Sequence, residues 1–323
     1  MGHISNHMNQ KHSLQANDNH ARNFVPEFKS TQNGLQAAAY KPISEYRESF
    51  LCPECSELLI PSDMPKGLSC PRCKKTFPFL EGAVYFSKID KEIHPSRLDT
   101  DASQKSHWTK WRLLNFEFCK KVLSEMSQIN FVLDIGAGKG HFRELFIRYN
   151  RYLALDFYPY PGVQIIADFT KKLPLRNDIA DLILLSNVLE HSPEPLDLLK
   201  ECRRLLRPSV GRIIILVPFL IKVHQAPFDF FRYTEYGLQY LLRKAQFSQF
   251  KTFPLGNLLD INDLFQAATL KTTFNSSQKR RSKLEFRLYS FLQRIYSKRL
   301  KKSATFVDKE NAFVLGYGCV ASK

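Results

Sequence analysis

No stretch of this 323-residue sequence is apolar for long enough to cross a membrane. The longest apolar run, Ile213 to Ile221, is interrupted by Pro218 and reads as a buried strand with its exit. There is no early apolar segment of signal-peptide type, and Asn6 stands where N-myristoylation needs Ser or Thr. The expected setting is cytoplasmic, with peripheral contact at the inner membrane surface allowed. No internal repeat is evident. Acidic residues are too few to balance the basic ones: 31 Asp and Glu against 47 Lys and Arg leave a formal charge of +16. That surplus calls for an anionic partner, whether nucleic acid, a membrane surface or an acidic substrate.

What is present is enough for a real core, with 44% hydrophobic and 13% aromatic residues. The length allows one catalytic domain and a smaller module. Residues 1–47 are rich in Asn, Gln, His and Ser without periodicity and are expected to be a disordered tail. Residues 48–88 hold two cysteine pairs. Residues 89–258 form the expected main domain. It opens with a linker and a helix to about 127, where Trp108, Trp111, Leu113, Leu114 and Phe118 are available to pack.

From 131 onward strand and helix patterns alternate, which predicts a parallel sheet with helices on both faces. The strands fall at 131–135, 152–156, 163–167, 181–186, 211–217, 248–254 and 312–321. A helix is expected through Leu198–Leu206, before Pro208 and Gly211, and another through Leu238–Ala245 with Thr234 as N-cap. Residues 259–305 are an insertion before the last strand, in 306–323. Its part 279–302 carries ten Lys or Arg and one Glu. Leu284, Leu288, Phe291, Leu292 and Ile295 there share one helical face, with Arg287, Arg294, Lys298 and Arg299 elsewhere. A basic amphipathic helix suits an anionic membrane surface, nucleic acid or an acidic partner, or packs on its own domain.

Cys52, Cys55, Cys70 and Cys73 stand as C-P-E-C and C-P-R-C, 14 residues apart. Two C-x-x-C turns aim four thiolates at one point, the set that satisfies tetrahedral zinc, and four sulfurs leave no open position for catalysis. A structural Zn(2+) is expected. Cys119, Cys202 and Cys319 sit in apolar contexts and read as buried thiols. The segment from Phe50 to Phe86 resembles the zinc ribbon of small tRNA-methyltransferase activator proteins.

Residues 131–142, Phe-Val-Leu-Asp-Ile-Gly-Ala-Gly-Lys-Gly-His-Phe, read as a buried strand, a tight glycine turn that lets backbone approach a ligand, and a helix through Phe142, Leu145 and Phe146. His141 occupies the place where a dinucleotide fold would have its third glycine. The D-x-G-x-G-x-G form resembles motif I of the class I S-adenosylmethionine-dependent methyltransferases, of the type 11-like kind. The resemblance covers about 106–258 and 306–323. It implies a Rossmann-like α/β fold with a seven-stranded doubly wound sheet.

The resemblance also implies a ligand set. Asp134 would orient the loop and reach the methionine amino group, and Gly136, Gly138 and Gly140 would line the methionyl part and ribose. Asp156, 22 residues after Asp134, would accept from both ribose hydroxyls, and Phe157 would lie against adenine. Asp168, with Phe169 beside it, would accept from the adenine amino group, and Asn187 closes the cofactor set at the end of the fourth strand. Some quinone-biosynthesis O-methyltransferases resemble this stretch and hold magnesium by two Glu and a His. Here Asn187 replaces the first acid, so only Glu190 and His191 remain, and no metal is expected.

After the fifth strand, His224-Gln-Ala-Pro-Phe-Asp229-Phe-Phe-Arg232-Tyr233-Thr234 resembles an H-x-x-P-x-D-x-x-R-[YF]-T pattern of methyltransferases of this type, several of them near cell-surface glycan pathways. Asp229, Arg232 and Tyr233 are candidate substrate residues, although Asp229 and Arg232 pairing with each other to hold the loop is an equal reading. His191 first and His224 second are the candidate bases for a hydroxyl acceptor.

The leading function is methyl transfer to a small-molecule or lipid-linked acceptor, a saccharide among the options, with 279–302 at a membrane. An RNA methyltransferase using the ribbon and the basic insertion is the second reading. The chain lacks both an N-P-P-[YF] tetrapeptide and an RNA-binding module. A non-catalytic zinc-ribbon binding protein on a methyltransferase scaffold is the third, against which the intact motif I, Asp156 and Asp168 argue.

Overall fold

The structure is a computed structural model, and it describes residues 43–63, 66–88, 105, 108–146, 148–274, 288, 291, 292, 295, 296, 299 and 313–323. The apolar runs become strands buried on both faces. β5 (Phe131–Ile135), β6 (Arg151–Asp156), β7 (Ile165–Ile166), β8 (Leu182–Ser186) and β9 (Arg212–Pro218) run parallel in the order β7-β6-β5-β8-β9. β11 (Gly316–Ser322) adds antiparallel to β9, and β10 (Gln249–Leu255) antiparallel to β11 at the edge. All seven expected strands are present, within a few residues of their expected limits.

Period-two alternation sorts the strand side chains between two cores. Leu133, Leu153, Ile183 and Ile213 point to the face covered by α2 (Pro195–Leu205) and α3 (Glu235–Lys244), through Leu198, Leu199, Cys202, Leu205, Leu238 and Leu242. Val132, Ala154, Leu184 and Ile214 point to the opposite face, covered by α1 (Lys110–Ser124) through Phe116, Phe118, Cys119, Val122 and Leu123. The Thr234 side chain caps α3 by accepting from the Gly237 N–H at 3.1 Å. Leu113, expected to pack, is exposed, because 111, 115, 118, 119 and 122 define the buried face of α1.

The seven-stranded sheet does not end at β7. β4 (Ala83–Tyr85) pairs with it in parallel, Val84 opposite Ile165, and β3 (Thr76–Leu80), β2 (Lys66–Ser69) and β1 (Ile60–Asp63) follow antiparallel. The cysteine module expected at 48–88 is thus a continuation of the main sheet in eleven-strand order. It also covers the β7 edge, whose unpaired N–H and C=O groups would otherwise face solvent. The fold reaches further towards the amino end than the tail expected at 1–47. Ile43–Ser49 form a 3-10 helix in which Tyr46 is fully buried and its hydroxyl donates to the Tyr152 carbonyl at 3.0 Å. Residues 1–42 of that tail lie outside the described residues.

The helix expected after the glycine turn is also shorter. Among the described residues there, Arg143–Leu145 form a 3-10 turn. Between Gly140 and the start of β6 at Arg151 the chain has ten residues in which to turn and return, too few for a helix of normal length and its two connections. Phe142 and Phe146 still pack into the α1 core.

The expected insertion at 259–305 begins as α4 (Leu258–Phe274), whose Ile261 and Leu264 pack with Trp111 and Leu315. Of 279–302 the described positions are 288, 291, 292, 295, 296 and 299. Leu288, Phe291, Leu292 and Ile295 are exposed there. Among the described residues no helix is long and apolar enough to cross a membrane.

Candidate functional site: a cleft at the strand switch point

β5 and β8 are neighbours, yet the chain leaves β5 towards β6 and leaves β8 towards β9. Loops at their carboxyl ends therefore diverge and open a crevice, the usual ligand position in open α/β sheets. On one side lies the glycine turn. Gly136, Gly138 and Gly140 all take positive φ, of 71°, 53° and 72°, a region that penalises any Cβ. A Cβ at Gly136 would run into Val188 Cγ2, whereas one at Gly138 would meet nothing within 4 Å. Gly136 is therefore set by packing against the exit of β8, and Gly138 faces open space.

Asp134 is buried beneath this turn and accepts a hydrogen bond from the Tyr152 hydroxyl at 2.7 Å. Burial, with the nearby Asp156 charge adding to it, pushes its carboxyl up to about 7 against the pull of that bond. Asp156, at the end of β6, accepts from the Gly138 N–H at 2.8 Å through Oδ2 and from the Tyr158 N–H at 3.0 Å through Oδ1. Burial raises it to about 6. The acid expected at the ribose thus also fixes the shape of the turn. Phe157 and Phe169 stand edge to face, centroids 6.0 Å apart. Between them in sequence, Asp168 accepts from the Thr170 N–H at 3.0 Å and its hydroxyl at 2.6 Å, with Lys171 Nζ at 3.1 Å. Burial alone would raise its carboxyl, but those bonds hold it below the usual range. Asn187, at φ 55°, accepts from Trp111 Nε1 at 2.6 Å. It ties α1 to the end of β8.

On the other side of the crevice, the 3-10 turn Leu189–His191 follows β8, and the loop 219–234 follows β9. Phe230 and Phe231 N–H groups donate to the Glu190 carbonyl at 2.9 and 3.2 Å, binding loop to turn. Arg232 holds Asp229 with both nitrogens, at 2.6 and 2.7 Å, and Asp229 Oδ2 accepts the His224 backbone N–H at 2.8 Å. Burial would raise Asp229, but the Arg232 bonds win and hold it at about 2. The equal reading of these two residues as a loop-holding pair is the one the geometry favours. Tyr233 is buried, its hydroxyl donating to the Leu189 carbonyl at 3.0 Å. Asp229, Arg232 and Tyr233 therefore build the loop that carries His224.

His191 and His224 come together, ring centroids 4.9 Å apart, over the fully buried Glu190. Burial lowers both imidazoles, His191 to about 4, and raises the Glu190 carboxyl to about 8. Burial thus favours the neutral form of both imidazoles. Glu190 is the member of this group that sequence reasoning left without a role. Its signal was present, since residues following two adjacent strands must meet at their carboxyl ends.

The four cysteines also converge. Their sulfurs all lie within 4.8 Å of one another, with Cys52–Cys73 at 3.5 Å and Cys55–Cys70 at 3.4 Å. A tetrahedral site with ~2.3 Å bonds has sulfur–sulfur edges of about 3.8 Å, so the set fits an ion with little movement. The two knuckles share one backbone pattern. The Ser56 and Lys74 N–H groups donate to the carbonyls of Cys52 and Cys70, and both residues take φ near 60°.

A family model described as a methyltransferase domain matches residues 133–215, from the strand before the glycine turn to the strand before the His224 loop. The chain carries an S-adenosylmethionine-dependent methyltransferase domain. A search of curated proteins finds no match. Among solved structures, an Archaeoglobus fulgidus SAM-dependent methyltransferase is similar at 18% identity over 66% of this chain and 94% of its own, with TM-score 0.42. A Haloferax volcanii complex of a methyltransferase activator with a putative methyltransferase is similar at 20% identity, covering 45% of this chain and 73% of that one, TM-score 0.39. A Burkholderia thailandensis 1,6-didemethyltoxoflavin-N1-methyltransferase is similar at 23%, covering 43% and 71%, TM-score 0.37. Likeness at this level assigns no acceptor.

Proposed function

We propose that the protein methylates a hydroxyl of a small or lipid-linked acceptor, a saccharide among the options, and that its four-cysteine cluster holds a structural zinc. Asp134, the Gly136–Gly140 turn, Asp156, Phe157, Asp168 and Phe169 are the residues that would hold S-adenosylmethionine, with Asn187 bracing the end of β8. That molecule supplies a sulfonium methyl open to in-line displacement, so positioning and exclusion of water account for much of the rate.

The observation that carries the hydroxyl reading is the pair of histidine rings, centroids 4.9 Å apart, beside the glycine turn. His191 Nδ1 lies 2.6 Å from the Phe228 carbonyl, so its proton belongs on Nδ1 and the Nε2 lone pair is available. His191 or His224 takes the hydroxyl proton as the acceptor attacks, and the Asp229–Arg232 pair keeps His224 in reach. The turn and this cluster are in direct contact, through Gly136 against Val188 and the His191 N–H donating to the Val188 carbonyl.

The exposed apolar positions Leu288, Phe291, Leu292 and Ile295, in a segment with ten Lys or Arg, support docking on an anionic membrane surface, which would bring a lipid-linked acceptor to the cleft. The test is incubation with labelled S-adenosylmethionine and fractionated lipid, glycan and RNA extracts. Label is expected in the lipid or glycan fraction. Label confined to RNA transfers the assignment to an RNA methyltransferase, and full turnover by His191→Ala and His224→Ala removes the base role. Retention on anionic liposomes rather than on RNA checks the surface.

A further inference from the structure

We propose that Glu190, His191 and His224 form a binding site for one divalent first-row transition ion, distinct from the four-cysteine cluster and set on the acceptor side of the cleft. One ligand atom from each of the three lies within 4.8 Å of the others. Glu190 is fully buried, and neither carboxylate oxygen has a hydrogen-bond partner in another residue. An ionised carboxylate in that state is costly, and either a proton or a bound cation removes the cost. His191 Nε2 is likewise buried without a hydrogen bond, 3.7 Å from Glu190 Oε1. His224 Nε2 approaches the same oxygen at 4.0 Å.

Both imidazoles are oriented from behind, as ligating histidines are. His191 Nδ1 faces the Phe228 carbonyl at 2.6 Å. His224 Nδ1 faces the Lys222 carbonyl at 3.2 Å and Asp229 Oδ2 at 3.3 Å, with Arg232 Nη2 at 3.4 Å holding Asp229 in place. The Phe228 carbonyl at His191 Nδ1 leaves that residue's Nε2 lone pair pointing inward. At His224 Nδ1 the Lys222 carbonyl and Asp229 Oδ2, both nearer than the donor Arg232 Nη2, favour the same tautomer. The two spacings to Glu190, 3.7 and 4.0 Å, are wider than the roughly 3.0–3.4 Å between ligand atoms on ~2.1 Å bonds, so an ion would draw those atoms together by about 0.3–1 Å. Two imidazoles and one carboxylate favour zinc, iron, manganese or cobalt over magnesium or calcium, and leave coordination positions open.

The loss of the acid at Asn187 therefore does not empty the site, because the loop after β9 returns a third ligand from outside the β8 motif. Its use in catalysis rests on the reading above that the acceptor is a hydroxyl, and with an ion bound both Nε2 atoms are ligands, so neither histidine is then the base. An acceptor hydroxyl bound at an open position would ionise more easily, its proton passing to water. Ion binding itself does not rest on that reading.

The test uses the full chain with its cysteine cluster first filled by one equivalent of zinc, then titrated with Mn2+ or Co2+ by calorimetry, with Mn2+ also followed by electron paramagnetic resonance. The expected result is one further ion per chain. Glu190→Gln and His224→Asn should weaken it by roughly 100-fold or more. Asp229→Asn, acting only through the posture of His224, should weaken it by about 10–100-fold. His224→Asn lies in a loop and guards against misfolding of the buried variant, and thermal melting of each metal-free variant is the control. No second ion at millimolar metal, or unchanged affinity in Glu190→Gln and His224→Asn, overturns the proposal. Uptake is measured without methyl donor. Its failure leaves methyl transfer with a histidine base standing, whereas intact uptake with no transfer to any hydroxyl would remove only that reading.

Discussion

Gly136 and Gly138 stand two residues apart in one turn, with similar positive φ, and should nonetheless respond very differently to the same methyl group. In Gly138→Ala the added carbon meets nothing within 4 Å. The cost is then the left-handed backbone, roughly 1–2 kcal/mol, partly offset by ~0.4–1 kcal/mol from a less flexible unfolded chain. A net loss of about 1 kcal/mol lowers the melting temperature by roughly 2–4 °C in a domain of this size. Gly136→Ala carries the same backbone cost and drives its methyl into Val188, itself 4% exposed and unable to move outward. Overpacking adds about 1–3 kcal/mol, for a total near 2–4 kcal/mol and a drop of roughly 5–15 °C. Cofactor binding should rank the other way relative to stability. Gly138→Ala keeps the fold and fills the space facing the ligand, so S-adenosylmethionine affinity by calorimetry should fall more than about tenfold, over 1.4 kcal/mol. A second substitution, Val188→Ala, separates clash from backbone strain. In the Gly136→Ala background it should recover about 1–3 kcal/mol relative to additivity, while with Gly138→Ala the two changes should simply add. Equal destabilisation by the two glycine changes, or an additive Gly136–Val188 cycle, would refute the assignment of Gly136 to packing and Gly138 to ligand space.

Three further expectations follow from the buried acids and the ribbon. Asp134 has a folded-state pKa of about 7, above its ordinary 3.8, so between those values the native state holds more protons than the unfolded chain. Its contribution to stability is complete below about 3.8 and is lost as pH rises through about 7, on the order of 4 kcal/mol at most. Urea unfolding at pH 5 and 7.5 should show Asp134→Asn losing less stability over that interval than wild type, and an equal loss in both refutes the burial effect. The variant comparison also removes the opposing contribution of His191, which is present above about 6.5 and lost as pH falls through about 4. Asp156→Asn leaves an amide facing either the Gly138 or the Tyr158 N–H, so cofactor affinity should fall at least about tenfold, with the turn's amide exchange accelerated. Stripping the cysteine cluster with a chelator should unfold the ribbon and, through the Val84 N–H to Gln164 carbonyl and Phe86 N–H to Ile166 carbonyl bonds at 2.9 and 2.8 Å, raise hydrogen exchange along β4 and β7. Unchanged exchange at β7 would show that the two parts are independent.

Much of the framework is written locally. A five-residue apolar run such as Phe131–Ile135 has no stable place except between two packed layers, and a C-x-x-C turn aims its sulfurs through its own backbone. The seven strands, the Thr234 cap, the glycine turn and the cysteine cluster therefore stood at or near their expected positions. The roles of Asp229 and Arg232 were less legible, because a carboxylate and a guanidinium three residues apart can satisfy each other as readily as a ligand.

What only the tertiary structure decided are the contacts between segments distant in sequence. Periodicity does not encode that β4 pairs with β7, 81 residues apart at Val84 and Ile165, since any strand with a free edge offers the same hydrogen-bonding groups. The helix expected after Gly140 shortened to the 3-10 turn Arg143–Leu145 because the sheet fixed where β6 must begin. Glu190 met His224 because β8 and β9 are neighbours. Sequence determines which residues must be buried and which turns can form; strand order decides which polar groups at the strand ends come within reach of one another.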